Sequence, residues 1–213
     1  MSESIPTSTR DRILVEASRL FAAQGVKATT VAQIETAVGL RKGSGGVHRY
    51  FATKNDLIAE IFSRQLGQGR EVLAEAEALP VPDPANLVPY VTALGEKILR
   101  DAEHGREVSL IMLRDAAILP DFARTHLLDN DALAYGAMSN ALRAQMNLQQ
   151  LEQFDPEALA FLFVGSLLFF KMTDWITGQP KLGLTDDRLV RTWVNVFEPV
   201  LRTLVAEGPV SAE

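Results

Sequence analysis

Residues Thr30 to Lys54 read TVAQIETAVGLRKGSGGVHRYFATK. The first nine have the pattern of a short capped helix. Thr30 is a hydroxyl N-cap, Gln33 stands three positions on, and Val31, Ile34 and Val38 share one face. Such a pair satisfies two helix-end N–H groups reciprocally, the threonine accepting from one and the glutamine reaching back to the other. Gly39 closes the helix. The following stretch, Gly39 to Phe51, holds four glycines and the cationic or ionisable side chains Arg41, Lys42, His48 and Arg49. Glycines let a backbone approach an anion and Arg and Lys neutralise it, so the stretch points to phosphate, of a nucleotide or of DNA. A dinucleotide fingerprint fails. Gly43-Ser44-Gly45 begins one, but its sixth position is His48, and a helix rather than a strand precedes it. No Gly-Lys-Ser/Thr follows at the spacing a P-loop needs. A helix-turn-helix fits: Thr30–Val38 as the first helix, Gly39-Leu40 as the turn, and Ser44–Tyr50 as the helix laid in the major groove. Arg41, Lys42, His48 and Arg49 then reach phosphates or base edges, and arginine suits guanine. The plainer alternative is a cationic, solvated loop between packed helices.

Outward from this stretch the chain reads as helix throughout. Ile13, Leu14, Ala17, Leu20 and Phe21 form one helical face that ends at Gly25, where a left-handed residue stops the helix. Thr53-Lys54-Asn55-Asp56 caps a long helix bearing Leu57, Ile58, Ile61, Phe62, Leu66 and Leu73. Pro80-Val81-Pro82-Asp83-Pro84 is a linker, since three prolines in five residues exclude helix interior. Helices are expected beyond it at 87–103, 106–118, 121–147, 156–178 and 186–207, the fourth opened by Asp155-Pro156 as N-cap and first-turn proline. The expected fold is all-α, with about nine helices. An N-terminal helix-turn-helix domain is expected over 1–53 and a larger helical domain over 54–213.

Bulk properties narrow the function. Apolar residues make up 47% of the chain, which supports a packed core rather than disorder. The absence of cysteine excludes disulfides and thiolate sites and fits a reducing, cytoplasmic setting. No basic run followed by an apolar stretch opens the sequence, so no secretory signal is read there. The longest apolar run, Ala158 to Phe170, is interrupted by Gly165 and Ser166 and falls short of the ~20 residues a membrane helix needs. A buried helix and no membrane partner are expected. Net charge is −6, yet residues 1–65 carry nine Lys/Arg against six Asp/Glu. A basic head on an acidic body places contact with a polyanion in the head alone.

The segment Arg10–Leu57 resembles the N-terminal domain of the tetracycline-repressor (TetR) family of transcriptional regulators. The matching pieces are Ile13, Ala17, Leu20-Phe21 and Gly25, then Thr29-Thr30-Val31, Ile34 and Ala37-Val38-Gly39-Leu40, then Tyr50-Phe51, Lys54 and Leu57. The resemblance implies double-stranded DNA as partner. It implies that Thr29 and Thr30 bind phosphate at a helix N-terminus and that Lys54 grips another. Arg41, Lys42, Ser44, Gly45, His48 and Arg49 would line the groove, and Tyr50 would pack or touch phosphate. Two features depart from the family. Gly39 to Phe51 is longer than is common, with the surplus in Lys42–Gly46, and His48 stands where relatives usually carry a tyrosine.

The body offers no catalytic or metal constellation, and no cofactor is expected. His48, His104 and His126 are too scattered for helical metal spacing, and no Gly-x-Ser-x-Gly elbow occurs. The helices at 156–178 and 186–207 are apolar on more than one face, so one face can serve the chain's own core and the other a second copy. Phe161, Val164, Leu168, Trp193, Phe197, Leu201 and Leu204 are the candidate dimer residues. The family resemblance implies an effector pocket in the larger domain, unknown in ligand, with Met112, Arg114, Phe122, His126, Tyr135, Met138 and Trp175 as candidate lining. The expected function is a dimeric DNA-binding regulator, a repressor released from a pseudo-palindromic operator by a small molecule. The alternative is a helical small-molecule-binding or interaction protein whose DNA head is vestigial.

Overall fold

A computed structural model describes residues 8–77 and 86–207, with the side chains at 72–77, 124, 126–134, 181 and 206–207 outside that description. The Pro80–Pro84 linker lies outside the described residues. In order, the helices are α1 (Thr9–Gln24), α2 (Val31–Ala37), α3 (Lys54–Glu77), α4 (Leu87–His104), α5 (Arg106–Asp115), α6 (Asp121–Arg143), α7 (Leu148–Gln153), α8 (Pro156–Thr177) and α9 (Asp186–Glu207). The fold is all-α, as the periodicity predicts.

The caps explain most boundaries. Ser8 accepts from Asp11 N–H to start α1. Thr30 and Gln33 form the expected reciprocal capping box on α2. Asp155 accepts from Glu157 and Ala158 N–H ahead of Pro156 on α8, and Gly178 ends that helix with φ 69°. Gly25 ends α1 with φ 92° and ψ 154°, a positive-φ corner other than the left-handed helical one the sequence predicts. The helix expected over 121–147 ends at Arg143, and a short helix not expected from the sequence follows it. Asn147 with Gln150 forms a second capping box that starts this helix, α7.

Packing forms two compact units. One contains the described residues through Gln68 together with Gly105–Asp129, and the other contains Gly69–His104 and Asn130 onward. This division runs across the sequence-based boundary at 53/54, because Leu57, Ile58, Ile61 and Phe62 of α3 are buried with Ile13, Phe21, Ile34, Val47 and Phe51. Ile111, Met112, Leu119 and Ala123 join the same core. In the second unit α4 packs on α8 and α9. Phe163, Trp193 and Phe197 meet edge to face or tilted, with ring centroids 4.1–6.0 Å apart, and Trp193 Nε1–H donates to the Phe163 carbonyl at 3.0 Å. Gly95 makes this approach feasible, since a Cβ there would sit 3.3 Å from the Trp193 ring.

The α8 helix runs 22 residues and is long and apolar enough to cross a membrane by length and composition, contrary to the short run read from sequence. Its buried face nevertheless packs in the second unit's core, and Lys171 on that face is buried and bonded to Asp186 at 2.8 Å.

Candidate nucleic-acid interface

The element expected as a recognition helix over Ser44–Tyr50 is instead a turn followed by one short 3-10 helix, Val47–Arg49. Gly43 and Gly45 adopt φ of 73° and 70°, a left-handed conformation that interrupts any helix through them. Val47 and Phe51 anchor the element in the core, at 2% and 4% exposure. Tyr50 and Phe51 N–H groups both donate to the Val47 carbonyl, at 2.9 and 3.0 Å.

Around these anchors Arg41, Lys42, Ser44, His48, Arg49 and Tyr50 are exposed, and Gly45 is half-buried. Among the described residues Arg41, Lys42 and Arg49 form no ion pair. Their charge faces solvent. The His48 Nδ1 lies 3.2 Å from the Ala52 carbonyl, which can only accept, so Nδ1 carries the proton of that bond.

Thr30 is exposed at the α2 N-terminus, with its N–H and hydroxyl engaged by Gln33. Thr29 does not fit a phosphate contact. It is 1% exposed, its hydroxyl donates to the Gly25 carbonyl at 2.8 Å, and its own carbonyl accepts from Lys54 Nζ at 2.7 Å. A buried hydroxyl holds an internal partner because leaving it unpaired is costly. Lys54 departs from expectation in the same way. Its half-buried ammonium is turned inward, onto Thr29 and 5.8 Å from the Phe21 ring centroid. Burial lowers its pKa, and the negative charge of Asp115 partly counters that shift.

Two buried carboxylates shape this head. Glu35, 1% exposed, accepts from Gly43 N–H at 2.6 Å and Gly46 N–H at 2.7 Å. Asp115 of α5, 8% exposed, accepts from Val26 N–H at 2.8 Å, while the neighbouring Arg114 donates to the Ala22 carbonyl at 2.9 Å. Both acids were detectable. Glu35 follows Val31 by four positions and Asp115 follows Ile111 by four, so each sits on the buried face of its helix.

The candidate effector residues divide between the units. Met112 is core in the first, Arg114 is bonded to α1, and Phe122 is 39% exposed. The side chain of His126 lies outside the described residues. In the second unit Tyr135 stacks on Phe161 at 5.1 Å, Met138 packs against the core and Trp175 donates to Glu103 at 3.0 Å. A cleft of about 360 Å³ in the second unit is lined by other residues, among them Glu96, Arg100, Glu103, Lys171, Asp186 and Asp187.

Of the candidate dimer residues, Val164, Trp193 and Leu204 are buried in the second unit's own core, and Leu168, Phe197 and Leu201 are half-buried. Phe161 is exposed at 62%, in company with Leu162, Phe169, Ile176 and Val196 at 57–67%.

Residues 13–61 match the family described as bacterial regulatory proteins, tetR family. No curated protein matches the sequence. Solved structures share the fold across nearly their whole length. AibR, in complex with isovaleryl coenzyme A and operator DNA, is 22% identical with a TM-score of 0.66, covering 90% of this chain and 99% of its own. A TetR-family transcriptional regulator from Agrobacterium tumefaciens is 19% identical with a TM-score of 0.62, covering 93% and 98%. The superantigen PfiT is 19% identical with a TM-score of 0.63, covering 91% and 97%. At these identities the likeness is one of fold, and function has to be argued from the site.

Proposed function

The chain is TetR-like, and from that premise we propose that it is a dimeric, cytoplasmic DNA-binding transcriptional regulator, acting as a repressor that a small molecule releases from its operator. The supporting observation is the exposed cationic array of Arg41, Lys42 and Arg49, joined by Ser44, His48 and Tyr50, on a turn anchored by Val47 and Phe51. Side chains so placed neutralise phosphates and reach base edges, with arginine bidentate to guanine. Thr30 and Gly45 stay in the proposed contact set. Thr29 and Lys54 act behind it as supports.

One such turn reads few base pairs. Two related by a two-fold axis read a pseudo-palindrome with half-sites about 34–36 Å apart or a multiple of that. The second copy covers the exposed apolar face of α8 and α9. The effector belongs to the larger helical region, by analogy with AibR and its bound acyl-coenzyme A. No tight cluster of candidate lining residues defines its chemistry.

Selection of bound fragments from sheared genomic DNA tests this reading. The expected result is enrichment of a two-fold-related sequence whose binding falls steeply with salt, since each neutralised phosphate adds about 0.9 to the log–log slope. Failure to retain any duplex at low salt would favour the vestigial-head alternative, the reading that the shortened recognition element speaks for.

A further inference from the structure

We propose that Glu35 is the positioning residue of the DNA-contacting turn, its carboxylate serving as an internal anion around which the backbone of Gly43–Val47 is gathered. This rests on the DNA-binding reading above and deepens it.

The argument begins with placement. Glu35 lies on the inward face of α2 beside Ile34 and Val38 and is 1% exposed. A carboxylate taken out of water is strongly unfavourable unless hydrogen bonds or charges replace its hydration. Here its two oxygens take the N–H groups of Gly43 and Gly46, one each, at 2.6 and 2.7 Å. The backbone N–H groups of Val47 and Gly45 also favour the ionised form. Burial alone would raise its pKa, but these N–H groups together hold it below the ordinary carboxylate range. The charge is met by main chain rather than by lysine or arginine.

That choice has two consequences for binding. First, the amides that a glycine-rich loop would offer to a phosphate are already taken by Glu35, so the glycines serve an internal anion. Gly43 and Gly45 supply the left-handed conformations, φ 73° and 70°, that let the loop close around the carboxylate. Second, no cation is consumed. Arg41, Lys42 and Arg49 stay exposed, while the segment carrying them is fixed at Gly43 and Gly46. A segment too rich in glycine to hold itself as a helix is thereby given one conformation, and the ordering cost is met before DNA arrives. N–H bonds to a carboxylate are roughly twice as strong as neutral ones, which suits a single side chain holding such a loop.

The test combines a spectroscopic signature with binding. In the folded full chain the amide protons of Gly43 and Gly46 are expected to resist exchange and to titrate together, with a midpoint below the ordinary ~4.3 of a glutamate. In E35Q and E35A the titration vanishes and exchange quickens. For the duplex recovered by genomic selection, E35A is expected to bind about tenfold more weakly, the scale set by losing hydrogen bonds to a charged group. E35D keeps the charge and recovers part of the loss. Low-salt binding to an unrelated duplex changes less than about twofold, because the exposed cations remain. Thermal melts select the temperature at which each variant is folded. The proposal is overturned if E35A keeps the wild-type affinity ratio between the two duplexes, or if the Gly43 and Gly46 amides are indifferent to the substitution. If wild-type protein retains no duplex, the DNA-binding reading fails by itself, and the amide measurements still decide whether Glu35 holds the turn.

Discussion

At the scale of single residues, burial separates two kinds of polar side chain in the head that the sequence does not separate. Thr29 and Arg49 both fit a list of phosphate contacts by type and position. Thr29 is buried and bonded to Gly25, whereas Arg49 is exposed and forms no ion pair among the described residues. Substituting them should therefore have opposite signatures. Thr29→Val removes a buried hydrogen bond at nearly constant volume and is expected to lower folding stability by about 1–2 kcal/mol without altering the salt slope of DNA binding. Arg49→Ala is expected to leave thermal stability within about 0.5 kcal/mol and to reduce the salt slope by about one phosphate's worth. Urea melts paired with binding isotherms at several salt concentrations measure both, and a Thr29→Val variant with a flattened slope would return that residue to the interface. The inward turn of Lys54 has the same origin. Lysine at a helix N-terminus opposes the helix dipole, and here a carbonyl and an aromatic face take its charge. Residue type was legible in the sequence. Direction was not, because Thr29 also donates to Leu20, nine residues back, and Lys54 reaches Thr29, 25 residues away along the chain.

At the scale of elements, local chemistry was readable and long-range chemistry was not. The caps on α2 and α8 are signatures within four residues, and the structure has both. The start of α7 carries the same kind of signature, Asn147 and Gln150, on a helix of six residues that is too short for a helical period to stand out. The recognition element differs in kind. Its shape depends on Glu35, eight and eleven residues away from the amides it holds, and no local window contains that relation. The α8 cap allows a direct check of how such carboxylates act. Backbone N–H donation from Ala158 is the leading cause that lowers the Asp155 pKa. A depressed folded-state value means that the contribution is complete above the unfolded pKa of ~3.9 and fades as pH falls through the folded one. Asp155→Ala is thus expected to lower Tm by about 2–4 °C at neutral pH, in line with the loss of one cap. The gap between variant and wild type should close on acidification below ~3.9. A gap that stays constant across that range would mean that Asp155 acts through packing rather than charge.

At the scale of the whole molecule, the issue is which apolar surface of α8 and α9 is spent within the chain. Sequence pattern showed that both helices have more apolar surface than one stripe requires, but gave no way to divide it. The structure divides it. Trp193, Val164 and Leu204 are core, and Phe161, Leu162, Phe169, Ile176 and Val196 remain outside. Four of these exposed side chains lie on α8 and one on α9, and exposed apolar surface marks association sites where it is contiguous. Fully burying a phenylalanine is favourable by about 1.5–3 kcal/mol, so two of them are a large share of what a modest dimer needs. Charged substitution of Phe161 and Phe169 is therefore expected to give a folded single chain, with helicity unchanged and sedimentation mass halved relative to wild type. Trp193→Ala, in contrast, opens a core cavity and is expected to cost about 3–5 kcal/mol of folding stability. DNA binding couples to the first change. A single turn offers only Arg41, Lys42, Arg49 and their neighbours, so the monomeric variant should lose discrimination between the selected pseudo-palindrome and one half-site, while its salt slope on the half-site stays as it was. A wild-type mass of one chain at every working concentration, or dimers that survive both phenylalanine substitutions, would move the second copy to another surface and detach the paired-head model from this face.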